Sequence, residues 1–166
     1  MKIRLLAVGF WLAALAQPAR AQDIGLELGT PGPAAAVETL DGKPTDLSAW
    51  VGKKPVLLEF WATWCGNCAQ LEPHMLEMHS KYGARVEFVG VAVSFNQSVA
   101  RAKAYVEKHK IPWTQLFDHK GNAGGAYDAP ATSYIVILDK AGKVIYTGLG
   151  GRQDLEPALK KALATE

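Results

Sequence analysis

The sequence predicts an α/β fold in which a mixed central sheet is flanked by helices. Two observations lead to this prediction. Nearly continuous apolar segments, typical of strands covered on both faces, alternate along the chain with segments of helical periodicity. Near the C-terminus, two further strand-like segments are separated only by a short turn. Helical crossovers imply parallel strands and a short turn forces an antiparallel pair, so we expect both pairings in one sheet.

The first 21 residues are typical of a targeting segment. Lys2 and Arg4 form a positive region, residues 5–16 are apolar, and Ala19-Arg20-Ala21 matches a small-x-small cleavage site. About twelve apolar residues are too few for the roughly 20 that span a bilayer. We therefore expect a cleaved signal peptide, a periplasmic or otherwise extracytoplasmic protein, and no stable membrane insertion after cleavage.

The rest of the chain has the size and charge of one ordinary domain. Residues 22–36 are rich in Gly, Pro and Ala and predict an extended lead-in, which leaves 37–166 as the folded domain. Removing Lys2, Arg4 and Arg20 from the 18 basic residues leaves 15 against 16 acidic residues. A near-neutral chain lacks the basic surface that nucleic acids attract, so we expect no nucleic-acid partner.

The first half of the domain predicts a hairpin, a strand and a helix. Asp41-Gly42 lies between short alternating segments and indicates the hairpin turn. Residues 55–62 (PVLLEFWA) predict a buried strand. After Cys65, apolar residues recur every three or four positions, which predicts an amphipathic helix with this buried stripe: Leu71, Met75, Met78 and Tyr82.

The second half predicts two more helices and three more strands. Residues 85–93 form a buried strand, and a helix follows whose N-cap is Asn96 or Ser98. Residues 133–139 and 143–149 predict an antiparallel hairpin, and a terminal helix follows Asp154. The predicted order is hairpin, β, α, β, α, β, β, α.

The only two cysteines, Cys65 and Cys68, lie where the buried strand turns into the first helix. A disulfide that encloses two residues constrains the unfolded chain little, so a purely structural role is a poor explanation. The positive end of a helix stabilises a thiolate, and lowering a thiol pKa from about 8.5 to about 7 raises the ionised fraction from about 3% to about half. We expect Cys65 to be the nucleophile and the more shielded Cys68 to resolve the mixed disulfide.

Glu59 interrupts the apolar strand six residues before Cys65. If it is buried, desolvation raises its pKa and it can exchange a proton with Cys68. If it faces an exposed sheet edge, it only solubilises the strand. The residues alone leave both interpretations open.

Residues 40–68 (LDGKPTDLSAWVGKKPVLLEFWATWCGNC) resemble the opening of the thioredoxin superfamily, and within it the bacterial extracytoplasmic thiol–disulfide oxidoreductases of the TlpA, ResA and DsbE type. The resemblance covers most of 37–163 and implies a thioredoxin fold with an N-terminal β-hairpin extension and a central αβ insertion. It implies that Glu59 is the buried acid of this fold. It also implies a disulfide reductase for protein thiols and disulfides, without a further cofactor, kept reduced by a membrane electron donor and serving cytochrome c maturation.

Two positions depart from the family pattern. Asn67 stands where the family usually has proline between the cysteines. Residues 127–139 (YDAPATSYIVILD) resemble the family's substrate-binding loop, but three extra residues separate Pro130 from Asp139 at the end of the strand. The cis-proline position therefore falls on Pro130 or on Ser133. We assign it to Pro130. The predicted substrate-binding residues are Trp64, Gly66, Asn67, Ala129 and Pro130.

Two rival hypotheses use the same cysteines. An oxidase or isomerase would run the exchange in the other direction, and the residues between the cysteines would set that direction. A copper(I)-binding protein could add His74 to Cys65 and Cys68 as a third ligand. We expect no metal site, because His74 reads as a surface residue, as do His79, His109 and His119.

Overall fold

The computed structural model describes residues 24–164 as a seven-stranded sheet with four α-helices. The predicted signal peptide lies outside the described residues. Within the described range, no helix has the length and apolar character needed to cross a membrane. The strands are β1 (Ala36–Thr39), β2 (Pro44–Asp46), β3 (Val56–Trp61), β4 (Glu87–Val93), β5 (Thr114–Asp118), β6 (Tyr134–Leu138) and β7 (Val144–Leu149), and the helices are α1 (Gly66–Tyr82), α2 (Val99–His109), α3 (Asn122–Ala126) and α4 (Glu156–Ala164).

The sheet is mixed, as predicted. Its strand order is β2-β1-β5-β4-β3-β6-β7; β3–β4 and β4–β5 are parallel, and the other neighbours are antiparallel. The N-terminal hairpin is part of this sheet because β1 pairs with β5. The strand that carries Glu59, β3, therefore lies inside the sheet between β4 and β6.

Two elements are missing from the predicted order, β5 and α3. The five residues of β5 (TQLFD) carry polar side chains at both ends, and α3 (NAGGA) is a single glycine-containing turn, so neither has a clear periodic signal. Together, α2 and β5 form the central αβ insertion that the resemblance implies. This insertion places α2 next to α1, over the same face of the sheet.

The two faces of β3 contribute to different parts of the core. Val56, Leu58 and Phe60 pack on the face covered by α3 and the N-terminal segments, whereas Leu57 packs under α1 and α4 on the opposite face. Side chains alternate along a strand, so Glu59 shares the face of Leu57. The predicted stripe of α1 is confirmed, since all four of its residues are buried on that face: Leu71, Met75, Met78 and Tyr82.

The lead-in follows the β6–β7 hairpin instead of running free. The backbone N–H of Gly29 donates to Val144 at 2.7 Å, and the N–H of Val144 donates to Thr30 at 2.8 Å. Pro31 forms an isolated β-bridge with Lys143. Gly, Pro and Ala therefore favour an extended conformation here that is used for strand-like pairing.

Candidate active site

Cys65 and Cys68 are joined by a disulfide at the first turn of α1. Cys65 is the N-cap, with an extended backbone, and its Sγ accepts a hydrogen bond from the backbone N–H of Cys68 at 3.0 Å. Cα atoms 5.3 Å apart suit a disulfide, so bond formation and cleavage need little backbone movement. An N–H donor and the positive helix end both stabilise a thiolate on Cys65 in the reduced state.

Exposure separates the two cysteines only slightly. Cys65 is 7% exposed and Cys68 is 6% exposed, a small difference in the direction expected from the sequence. Both residues pack in the same small apolar cluster as Trp61, which shields them alike. Assignment of the nucleophile therefore depends on the hydrogen bond to Cys65 and on its position at the helix end.

Glu59 is buried in the middle of the sheet. It pairs with Gly90 of β4 and with Ile135 of β6, and it is only 7% exposed, so the interpretation of Glu59 as an exposed edge residue is wrong. Burial, and secondarily the negative charge of Glu72, raises the pKa of Glu59 to about 8. At pH 7 the disulfide form therefore holds a protonated Glu59 in a ratio of about ten to one.

A narrow cavity connects Glu59 to Cys68. Its volume is about 10 Å³, room for about one water molecule. Gly90 leaves room for the side chain of Gln115, with which a Cβ at position 90 would collide, and Gln115 Oε1 accepts a hydrogen bond from Trp61 Nε1 at 2.9 Å. The lining residues are Glu59, Trp61, Cys68, Glu72, Tyr105, Ile111, Trp113 and Gln115.

Glu72 was not among the predicted site residues. It follows Cys68 by four positions, which places it one helical turn further along the same side of α1. Its Oε2 accepts a hydrogen bond from Tyr105 Oη at 2.8 Å, and its Oε1 lies 2.8 Å from His109 Nδ1. The spacing from Cys68 could have identified Glu72, but its two partners belong to the insertion.

An open apolar groove of about 330 Å³ has Trp64, the residue before Cys65, in its lining. Trp64 forms one wall, with Nε1 donating to the carbonyl of Phe95 at 2.8 Å and its ring edge-on to the Phe95 ring at 6.0 Å. Phe95 is 68% exposed and was not predicted, since an isolated aromatic residue in a loop gives no periodic signal. The groove is lined by Trp64, Val93, Phe95, Gly124, Ala129, Ala131 and Thr132.

The prediction of a cis peptide bond before Pro130 is wrong. Residues 24–164 contain no cis peptide bond, and Pro130 is exposed between the groove residues Ala129 and Ala131. Ser133 is the residue that directly precedes β6, and its N–H donates to the carbonyl of Phe60 at 2.8 Å. The extra residues 131–133 thus lengthen the loop before β6 and separate Pro130 from the start of this strand.

Gly66 and Asn67 form the exposed first turn of α1 between the cysteines. The backbone of Gly151, in the turn between β7 and α4, approaches this turn closely. A Cβ on Gly151 would lie 2.8 Å from the carbonyl oxygen of Asn67. The turn between β7 and α4 therefore packs directly against the start of α1.

The histidines lie in different environments from one another. His74 Nε2 is 3.4 Å from the backbone nitrogen of Leu155, and its Nδ1 is 3.5 Å from Glu77. In the part of the chain that the structure describes, no group of three His, Cys, Asp or Glu side chains could hold a metal ion. His119 is exposed, as predicted, whereas the other three histidines are only partly exposed: His79 packs against Phe88 and Trp113, and the side chains of His74 and His109 are both 29% exposed.

Known proteins resemble this chain over nearly all of its described length. The family model described as Redoxin matches residues 27–163. A thioredoxin-like protein, YneN, of Bacillus subtilis is 31% identical, with 93% of this chain and 92% of that protein covered. The thiol-disulfide oxidoreductase ResA of Bacillus cereus is also 31% identical, with 93% of this chain and 88% of the relative covered.

A solved structure agrees with these relatives. The crystal structure of a putative thiol:disulfide interchange protein DsbE from Chlorobium tepidum has a TM-score of 0.71 and 29% identity, and the match covers 84% of this chain and 96% of that one. It shares the thioredoxin fold, which the strand order and the cysteine pair at the start of α1 had indicated. The chain therefore belongs to the Redoxin family, and it is a thiol–disulfide oxidoreductase of the ResA and DsbE type.

Proposed function

We propose that this oxidoreductase is a disulfide reductase that acts on protein substrates through Cys65 and Cys68. The observation that carries the proposal is the placement of Glu59. It is a buried acid on the central strand, and a cavity that holds about one water molecule joins it to Cys68. A cysteine pair with its own proton donor and acceptor can both break and re-form its disulfide.

The exchange begins when the Cys65 thiolate attacks one sulfur of a substrate disulfide. A mixed disulfide forms, and the first substrate sulfur leaves as a thiolate that takes a proton from solvent. The Glu59 carboxylate then accepts the proton of Cys68, and the Cys68 thiolate attacks Cys65 Sγ. The second substrate sulfur leaves, and the enzyme ends with its disulfide and a protonated Glu59.

The groove beside Cys65 is where we place the substrate. Trp64 and Ala129 form its walls, Pro130 is exposed next to Ala129, and Gly66 and Asn67 form the adjoining helix turn. The groove is mostly apolar and open, which suits an extended protein segment that presents a disulfide beside apolar side chains. No cofactor beyond the Cys65–Cys68 disulfide takes part in this mechanism.

The electrostatics around Cys68 support the reducing direction. Glu72 lines the same cavity as Cys68, and its negative charge beside the Cys68 thiol disfavours the thiolate. An oxidant such as DsbA is strong because its reduced form is stabilised. A group that disfavours a thiolate on Cys68 makes the reduced form less stable, and this favours transfer of electrons to the substrate.

We also propose that the protein works outside the cytoplasm. The pattern of residues 1–21 supports export, and an exported reductase needs electrons from across the membrane, hence a membrane electron donor. Cytochrome c maturation, which requires reduced cysteines in an oxidising compartment, is the process we propose for its substrates. Mass spectrometry of the protein from an extracytoplasmic fraction should find a chain that starts near Gln22; an intact Met1 terminus would contradict export.

The activity is tested by the reduction of a protein disulfide with dithiothreitol. The purified protein should accelerate the reaction, and Cys65→Ser should abolish the acceleration. Equal rates with the wild type and with Cys65→Ser would contradict the proposal.

The direction is tested by equilibration against glutathione buffers. A reductase should have a potential near the thioredoxin value of about −270 mV. A value near about −120 mV, which is typical of DsbA, would instead assign the oxidase hypothesis.

A further inference from the structure

The cavity beneath Cys68 contains two carboxyl groups with unlike surroundings. Glu72 accepts a hydrogen bond from Tyr105 and is bonded to His109, both at 2.8 Å. Burial and the charge of Glu72 raise the pKa of Glu59, and no hydrogen bond from the described residues is among the causes. A carboxyl held by hydrogen-bond donors favours its charged form, and a desolvated carboxyl favours its neutral form.

We propose that Glu72 is a positioning residue that acts through Glu59: it is the fixed anion of a carboxyl pair, and Glu59 is the member that gains and loses the proton. This inference rests on the role proposed above for Glu59. Two negative charges, one on each carboxylate, repel each other strongly in a cavity of this size, so the doubly ionised state has a high free energy. The anion held by α2 therefore determines the pH at which Glu59 changes from acid to base.

The partners of Glu72 are themselves held in place. Tyr105 and His109 lie one turn apart on α2, and their rings stack at 3.8 Å with an interplanar angle of 17°. Their hydrogen bonds use both oxygens of Glu72 and so fix its orientation. The Glu72 side chain is 18% exposed and that of His109 is 29% exposed, so both side chains are partly in contact with solvent.

The groups that face Glu59 come from every neighbouring element. Cys68 and Glu72 lie on α1 and Tyr105 lies on α2. The neighbouring strands contribute only uncharged residues, namely Gly90 of β4, Gln115 of β5 and Ile135 of β6. Burial and hydrogen bonding to Glu72 raise the pKa of the Tyr105 hydroxyl, so Tyr105 stays a neutral donor. Among the residues that line the cavity, Glu72 is the one whose negative charge raises the pKa of Glu59.

The pair also accounts for the proton in one half of the exchange. An incoming thiolate attacks Cys65 Sγ, the bond between the sulfurs breaks, and its electron pair goes to Cys68. Protonated Glu59 gives its proton to the Cys68 thiolate and becomes a carboxylate. That second negative charge next to Glu72 makes the Glu59 carboxylate a stronger base, which accepts the proton of Cys68 as the next exchange begins.

The test compares Glu72→Gln, Glu72→Asp and the wild type by the pH dependence of single-turnover exchange with dithiothreitol. The infrared C=O band of protonated Glu59, identified by its loss in Glu59→Gln, follows the titration directly. Glu72→Gln should lower the apparent pKa of Glu59 by about one unit, a tenfold change in its ionised fraction. Glu72→Asp keeps the charge and should restore most of the wild-type value. Glu77→Gln removes the partner of His74 from the exposed side of the same helix and should leave the profile unchanged.

Three outcomes would overturn the inference. An unchanged profile in Glu72→Gln would show that its charge does not act on Glu59. Equal shifts in Glu72→Gln and Glu72→Asp would assign Glu72 a merely structural role, and so would equal shifts in the control. The failure of the underlying mechanism is distinguishable, because Glu59→Gln itself would then leave the rate and its pH dependence as in the wild type.

Discussion

Replacing Glu59 by glutamine should make the oxidised protein more stable, and the gain should increase with pH. The substitution keeps the size and polarity of the side chain but removes its ability to ionise. In the unfolded chain Glu59 has its ordinary pKa of 4.5, whereas in the folded disulfide form its pKa is about 8 because the residue is buried. Ionisation therefore favours the unfolded state over the whole interval between these two values.

The magnitude follows from the difference between the two pKa values. A folded-state pKa above the unfolded value means that the stability present below pH 4.5 is lost as the pH rises toward 8. At 1.36 kcal/mol per unit, the loss is under about 1 kcal/mol at pH 5 and about 3 kcal/mol at pH 7. Glu59→Gln does not have this loss, so its advantage over the wild type should follow the same curve.

Urea unfolding of both oxidised proteins between pH 5 and pH 8 measures this curve. Glu107→Gln, on the exposed side of α2, is the matched control and should stay within about 0.5 kcal/mol of the wild type. A difference between Glu59→Gln and the wild type that does not change with pH would refute the reasoning. It would mean that Glu59 ionises as readily in the folded protein as in the unfolded chain.

Three further predictions concern the helix turn, the groove and the strand end. Asn67→Pro removes a backbone N–H from the helix end that stabilises the Cys65 thiolate, so the reduction potential should become more negative by about 30 mV, the equivalent of about 1.4 kcal/mol. A potential equal to that of the wild type, or less negative, would contradict this prediction. Phe95→Ala should raise KM for a protein disulfide about fivefold with little change in kcat, because a substrate contact is lost. An equal rise in KM for a small disulfide would contradict the placement of the protein substrate in the groove. Ser133 has φ +64°, a strained backbone conformation for a residue other than glycine, and a buried Oγ without a hydrogen-bond partner, so Ser133→Gly should raise the free energy of unfolding by about 1 kcal/mol. A loss of stability in urea unfolding would contradict the strain at this position.

Local patterns were sufficient to predict the cysteine site and the helix that carries it. The spacing of Leu71, Met75 and Met78 predicts which side of α1 is buried, because helix geometry alone connects spacing to direction. Glu59 could be identified as a candidate because a charge in an apolar strand is costly unless it has a use. Its burial, however, depends on β6 pairing with β3, and this contact joins distant parts of the chain.

The remaining features depend on the packing of elements far apart in sequence. Glu72 meets Tyr105 and His109 only because the insertion places α2 beside α1, at separations of 33 and 37 residues. Pro130 was assigned as the cis-proline by resemblance to a family loop of different length. Three added residues place Ser133, not Pro130, directly before the start of β6. Periodicity contains no information about such long-range contacts or about loop length.

The central claim, that Cys65 attacks and Cys68 resolves, is tested most directly by trapping the mixed disulfide. Reduced Cys68→Ser and reduced Cys65→Ser are each mixed with the same protein disulfide, and intact mass spectrometry measures the covalent adduct. The account predicts rapid accumulation of an adduct on Cys65 in Cys68→Ser and little adduct in Cys65→Ser. An adduct that forms faster on Cys68, or equally fast on both cysteines, would contradict the assignment of Cys65 as the nucleophile.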